Sequence, residues 1–120
     1  MHEGAEVFSP ELEFGEGCDV VIVDNRSGEM LLAEIKRCNL GYGDVQKAVR
    51  QLDRTEELLQ DRYPTYMIKK VIVHDRRGRC KVFASISFVL EKSGIKFLST
   101  ASSMMAKRLR NLYNKMRKKR

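Results

Sequence analysis

Residues 18–37, "CDVVIVDNRSGEMLLAEIKR", constrain the fold more than any other stretch. Residues 18–24 are β-branched and apolar, which suits a buried strand. "NRSG" is turn chemistry and closes on Gly28. Residues 29–37 form a second apolar run, so 18–37 is predicted to be a β-hairpin.

Three charged residues sit inside or at the ends of these runs: Asp19, Glu34 and Lys36. If the turn is Asn25 to Gly28, Asp24 opposes Glu29, and continuing that register sets Asp19 opposite Glu34. Lys36, two residues on, shares the face of Glu34. Directly opposed side chains have Cβ atoms about 4.5–5.5 Å apart. Two carboxylates about 5 Å apart repel by roughly 3 kcal/mol at an effective dielectric near 20. Lys36 offsets part of this, and a divalent cation would offset far more. Mg²⁺ is commonly held by one or two carboxylates plus substrate phosphate. The pattern therefore points to a Mg²⁺ or Mn²⁺ site that bridges protein to phosphate. A bulge would turn Asp19 to the other face, and an ordinary hairpin with solvated charges is the plainer alternative.

Along the rest of the chain, "GAEVF" suits either a helical turn or an edge strand, and "SPELEF" reads as extended after Pro10. "NLGYG" is a loop. Residues 44–63 are predicted helical, with Asp44 as N-cap and Val45, Ala48, Val49, Leu52 and Leu59 on the apolar face. Pro64 marks the stop. Residues 66–74 form a third strand and "DRRGR" a turn. Val82, Phe83, Ile86, Val89 and Leu90 fit a helix face ended by Gly94, although a strand through 81–90 is nearly as consistent. "IKFLS" is a short strand. Residues 101–118 form a last helix with Met105, Leu109, Leu112 and Met116 as its apolar stripe. Strands flanked by helices, starting from an antiparallel hairpin, give a mixed sheet of α/β or α+β type.

The 120 residues suit one domain, 1–120, with 101–120 a basic amphipathic helix and tail. The net charge of +7 is unevenly spread. Eight basic and no acidic residues lie between Lys107 and Arg120, and without them 15 basic face 16 acidic residues. The first 34 residues hold nine acids and one base, Arg26. An acidic beginning and a basic end suggest a polyanion partner and a cation site. No stretch approaches a membrane span, and "MHEGAEVF" lacks the basic start and apolar centre of a signal peptide. Cys18, Cys38 and Cys80 have no metal-ligand spacing, and with only His2 and His74 beside them a zinc site is not expected. Cys18 and Cys38 read as small buried hydrophobes, the three cysteines suit an intracellular, cytoplasmic and reducing compartment, and His74 reads as structural.

Asp19, the strand "VVIV", and Glu34-Ile35-Lys36 closing the next strand resemble the PD-(D/E)XK nuclease superfamily. Its members include restriction enzymes, archaeal Holliday-junction resolvases and RecB-type nuclease domains. The likeness covers residues 15–74, and reaches 99 if the helix after 80 forms. The helix "VQKAVRQL" adds to it, since many members carry a glutamine there, and Gln46 and Gln51 are both candidates. The resemblance implies a restriction-endonuclease-like mixed sheet flanked by helices. It implies a Mg²⁺ (or Mn²⁺) ion held by Asp19, Glu34 and the backbone carbonyl of Ile35, with Lys36 positioning or activating the attacking water. Cys18 stands where the name-giving proline would be. An upstream glutamate would come from Glu3, Glu6, Glu11, Glu13 or Glu16. The RecB-type Gln-x-x-x-Tyr motif is absent, because Gln46 is followed by Arg50 and Gln51 by Thr55.

The expected function is thus a metal-dependent deoxyribonuclease of endonuclease or junction-resolvase type. The alternative is a nucleic-acid-binding protein, or partner-dependent subunit, that keeps the fold without cutting. Duplex or branched DNA is the expected partner, and a homodimer would let two sites address two strands. Tyr42 is a candidate to stack on a base, with Gln51, Lys107, Arg108 and Arg110 as further nucleic-acid contacts.

Overall fold

A computed structural model describes residues 5–37, 40–76 and 85–119. These residues form β1 (Ala5–Phe8), α1 (Pro10–Phe14), β2 (Val20–Asp24), β3 (Glu29–Arg37), α2 (Tyr42–Gln60), β4 (Met67–Asp75), α3 (Ser85–Lys92), β5 (Ile95–Ser99) and α4 (Met104–Lys118). The sheet runs in the order β1-β2-β3-β4-β5. The first three strands are antiparallel, and β4 and β5 add in parallel through α2 and α3.

The period-2 alternation of the strands divides the core into two layers. Val21, Val23, Met30, Leu32 and Ile72 pack under Val45, Ala48 and Leu52 of α2 and Ile86 and Leu90 of α3. Val20, Ala33, Val71 and Val73 point the other way, against Ala106 and Leu109 of α4. A mixed sheet flanked by helices follows from this two-sided burial, because parallel strands are covered on both faces.

The hairpin forms in the expected register. Asp24 pairs with Glu29 and Val20 with Ala33. Gly28, at φ 69°, donates its N–H to Asp24 O at 3.0 Å and closes the turn. Asp24 Oδ1 accepts from the N–H groups of Arg26 and Ser27. The regular strand starts at Val20 rather than at residue 18, and Asp19 N–H donates to Ala33 O at 3.1 Å, the residue already paired with Val20, so the regular register ends there.

Several expected boundaries and faces move. "SPELEF" is a helical turn rather than extended chain. Ser9 Oγ caps it by accepting from Leu12 N–H, and Pro10 occupies the first helical position, where its missing N–H costs nothing. Helix α2 begins at Tyr42, and Asp44 lies inside the first turn, where Oδ2 accepts from Gly41 N–H at 3.0 Å. It ends at Gln60, short of residue 63. Helix α4 starts at Met104, after the Ser103 cap. Its sheet-facing stripe is Ala106, Leu109, Tyr113 and Met116, whereas Met105 is largely exposed. The small Ala106 side chain lets the helix approach the sheet closely. Residues 85–92 are helical, with Ile86 and Leu90 buried and Val89 turned outward. Glu3, Cys38, Cys80, Val82, Phe83 and most of the "DRRGR" turn lie outside the described residues.

Candidate functional site

The loop from α1 into β2 sets the position of Asp19. Gly17 has φ 99°, and a Cβ there would lie 2.8 Å from Pro10 Cβ, so this close approach needs glycine. Its N–H donates to Gln51 Oε1 at 3.2 Å. The next N–H, of Cys18, donates to Thr55 Oγ1 at 2.7 Å, and that hydroxyl in turn donates to Gln51 O. Two consecutive backbone groups are thereby tied to α2. Cys18 itself is buried, and desolvation pushes its thiol up to about 12, which leaves it an inert packing residue.

Asp19 and Glu34 then meet at the end of the hairpin. They are only 8% and 4% exposed. Asp19 Oδ2 accepts from Ile35 N–H at 2.7 Å, and the two carboxyl groups lie within hydrogen-bonding reach of each other. Lys36 Nζ is 3.5 Å from Glu34 Oε2. Glu34 Oε1 is buried and has no hydrogen-bond partner among the described residues. Burial, then the negative charge of Asp19, pushes the Glu34 carboxyl up to about 9, against the pull of Lys36. Burial also raises Asp19, opposed mainly by the Ile35 N–H bond. On its own, the pair holds a proton at neutral pH.

These groups line a cleft of about 640 Å³. Its rim is basic: Arg37 from β3, Lys47 and Arg50 from α2, and Arg117 from α4. Arg37 also joins Arg117 and Lys118 in a neighbouring hollow. In the sequence Arg37, Lys47 and Arg50 read as solvated surface charge first and as phosphate contacts second; Lys47 and Arg50 lie one helical turn apart.

Of the five upstream glutamates, Glu11 lines this cleft. Glu6 instead accepts from the Tyr63 hydroxyl at 3.3 Å, and Glu16 lies 3.8 Å from Arg54. Among the described residues there is no group of three or more His, Cys, Asp or Glu side chains that could hold a metal ion. The acidic pair therefore supplies two carboxylates, which is within what Mg²⁺ uses when substrate and water complete its shell.

The other candidate contacts disperse. Gln51 lines the cleft while its Oε1 holds the Gly17 loop. Tyr42 opens α2, half exposed, outside the cleft lining. Lys107 and Arg108 line a separate groove with Met104, Met105 and Leu112 that shares no residue with the cleft. Arg110 reaches the buried carboxylate of Asp75 at 3.5 Å. The face of α4 that meets the cleft carries Tyr113 and Arg117 instead. His74 pairs in register with Lys36, but its ring is buried against Phe97, and burial lowers it toward the neutral form.

No protein-family model matches this chain, and no curated protein and no solved structure matches it. No helix among the described residues is long and apolar enough to cross a membrane.

Proposed function

We propose that the cleft is the active site of a metal-dependent nuclease of the PD-(D/E)XK type, with the restriction-endonuclease-like fold, acting on DNA. The observation that carries this reading is the burial of Asp19 and Glu34 in mutual contact beside Lys36, with Glu34 Oε1 left without a donor. A buried carboxyl oxygen with no partner disfavours the ionised form, and a second positive group beside Lys36 would complete it. A hard divalent cation, Mg²⁺ or Mn²⁺, fits a donor set made only of oxygens. Asp19 and Glu34 would hold it, with the Ile35 carbonyl added by the resemblance.

When bound, such a cation offsets charge on the phosphate oxygens and makes a water acidic enough to attack phosphorus. The remaining chemistry belongs to the chain. The Ile35 N–H keeps Asp19 turned toward Glu34. Lys36, partly exposed at the cleft wall, places an ammonium where negative charge develops on the scissile phosphate, a purely electrostatic role. Lys47, Arg50, Arg37 and Arg117 hold neighbouring phosphates and so set the strand across the pair. The buried thiol of Cys18 takes no part as a nucleophile.

A second reading, a nucleic-acid-binding protein that does not cut, rests on the absence of a third acidic or imidazole ligand among the described residues. Incubation with branched, duplex and single-stranded DNA, in Mg²⁺ or Mn²⁺ against EDTA, separates the two. Cleavage that needs the cation and falls at least about 100-fold in Lys36→Ala supports the nuclease. Binding without cleavage of any substrate supports the second reading.

A further inference from the structure

The helix that closes one side of the cleft belongs to the opposite end of the chain. Helix α4 is anchored on the sheet by Ala106 and Leu109, both fully buried, and begins at the Ser103 cap. Its last turns carry it to the cleft. There the Tyr113 hydroxyl donates to Glu11 Oε2 at 2.7 Å, joining α4 to α1 across 102 residues of sequence. The Arg117 guanidinium lies over the Tyr113 ring, 5.6 Å from its centroid, and both side chains line the cleft with Asp19 and Glu34. Glu11 is exposed and lies on a helix of only five residues. Among the described residues, the bond from Tyr113 is what fixes the direction of its carboxylate.

We propose that Tyr113 is a positioning residue, which orients the Glu11 carboxylate toward the hydration shell of a divalent cation held by Asp19 and Glu34. The inference rests on the cation-site reading given above. Burial and the neighbouring carboxylates of Glu11 and Asp19 raise the Tyr113 phenol, so it stays a neutral donor at physiological pH. A tyrosine whose ring is packed loses little side-chain entropy in making this bond. A free glutamate on a short helix would sample several rotamers, and each departure would remove one acceptor from the waters that Mg²⁺ retains. Partners that orient groups in this way are commonly worth roughly 10–100-fold in metal affinity. The pairing also makes the competence of the site depend on the docking of α4, so α1 and α4 act on one site.

The test is Mn²⁺ binding to the full chain, followed by calorimetry in EDTA-stripped buffer at about pH 8, with no nucleic acid present. Tyr113→Phe keeps the ring over the sheet and under Arg117 and removes only the hydroxyl. It is expected to weaken Mn²⁺ binding about tenfold with the thermal midpoint nearly unchanged. Glu11→Ala is expected to weaken binding by at least as much. In the double variant, Tyr113→Phe should add nothing, because its effect passes through Glu11. Unchanged binding in Tyr113→Phe overturns the inference, and so does an undiminished effect of Tyr113→Phe in the Glu11→Ala background, which would mark a packing role. Asp19→Asn separates the two claims. If it abolishes Mn²⁺ binding while Tyr113→Phe has no effect, the cation site stands and the positioning role falls. If wild type binds no Mn²⁺, or Asp19→Asn binds as wild type does, both fall.

Discussion

Glutamine at position 34 should stabilise the cation-free protein, and increasingly so as pH rises. Glu34 is buried against Asp19, and its carboxyl is pushed from an ordinary 4.5 up to about 9. A group raised on folding adds stability that is complete below its unfolded value and is given up as pH climbs through its folded one. Wild type should therefore lose stability steadily from about pH 4.5 to about pH 9. At roughly 1.4 kcal/mol for each pH unit, the full displacement is on the order of 6 kcal/mol. Repulsion between two carboxylates about 5 Å apart supplies about 3 kcal/mol of it at an effective dielectric near 20. Glu34→Gln has no proton to lose, and its amide can donate to Asp19. Titrating groups away from the pair are common to both proteins, so their difference reports the coupled Asp19–Glu34 pair. Urea unfolding in EDTA across about pH 5 to 9.5 should show a gap that widens by about 3–6 kcal/mol in favour of the variant. Adding Mn²⁺ at the alkaline end should recover wild-type stability and leave the variant unmoved. Curves that stay parallel within about 1 kcal/mol would mean that Glu34 ionises freely, and the electrostatic reasoning would fail.

Because a cation must displace the shared proton, Mn²⁺ affinity should rise with pH toward about 9, and calorimetry in buffers of different ionisation enthalpy should detect proton release; an affinity flat with pH would count against this. Lys47→Ala and Arg50→Ala should each reduce the slope of log affinity for DNA against log salt by about one, whereas Lys107→Ala and Arg108→Ala, in a groove apart from the cleft, should leave it alone. The reverse pattern would move the nucleic-acid surface to the other side of α4. Thr55→Val strands the Cys18 N–H without its acceptor and should cost about 1–3 kcal/mol in urea unfolding, with Thr55→Ser recovering most of it. An unchanged midpoint in Thr55→Val would show that the Gly17–Cys18 loop is held by other means.

The hairpin was legible from local rules: a four-residue turn and the period-2 pleat fix the pairs from Asp24–Glu29 to Val20–Ala33. Asp19 lies one step beyond that register, its N–H bonded to Ala33 O, and its place beside Glu34 follows from the loop tied to α2. The flanked mixed sheet was also legible, from strands that are apolar throughout and helices that are apolar on one side. Choosing among five glutamates was not, since Glu11 reaches the cleft only through the Ser9–Pro10 helical turn and the approach of α4, both set by tertiary packing. The azimuth of α4 was misjudged because Met105 and Leu112 are larger apolar residues than Ala106. The sheet leaves space for the small side chain, which rotates Tyr113 and Arg117 to the cleft and Lys107 and Arg108 away from it. Arg110 looked like a phosphate contact, yet its partner Asp75 lies at the end of a distant strand.

The most direct test is crystallographic: crystals grown at about pH 8 with Mn²⁺, and an anomalous difference map. The account predicts one peak with an oxygen from each of Asp19 and Glu34 within about 2.2 Å. A map with no peak there at saturating Mn²⁺ would contradict it.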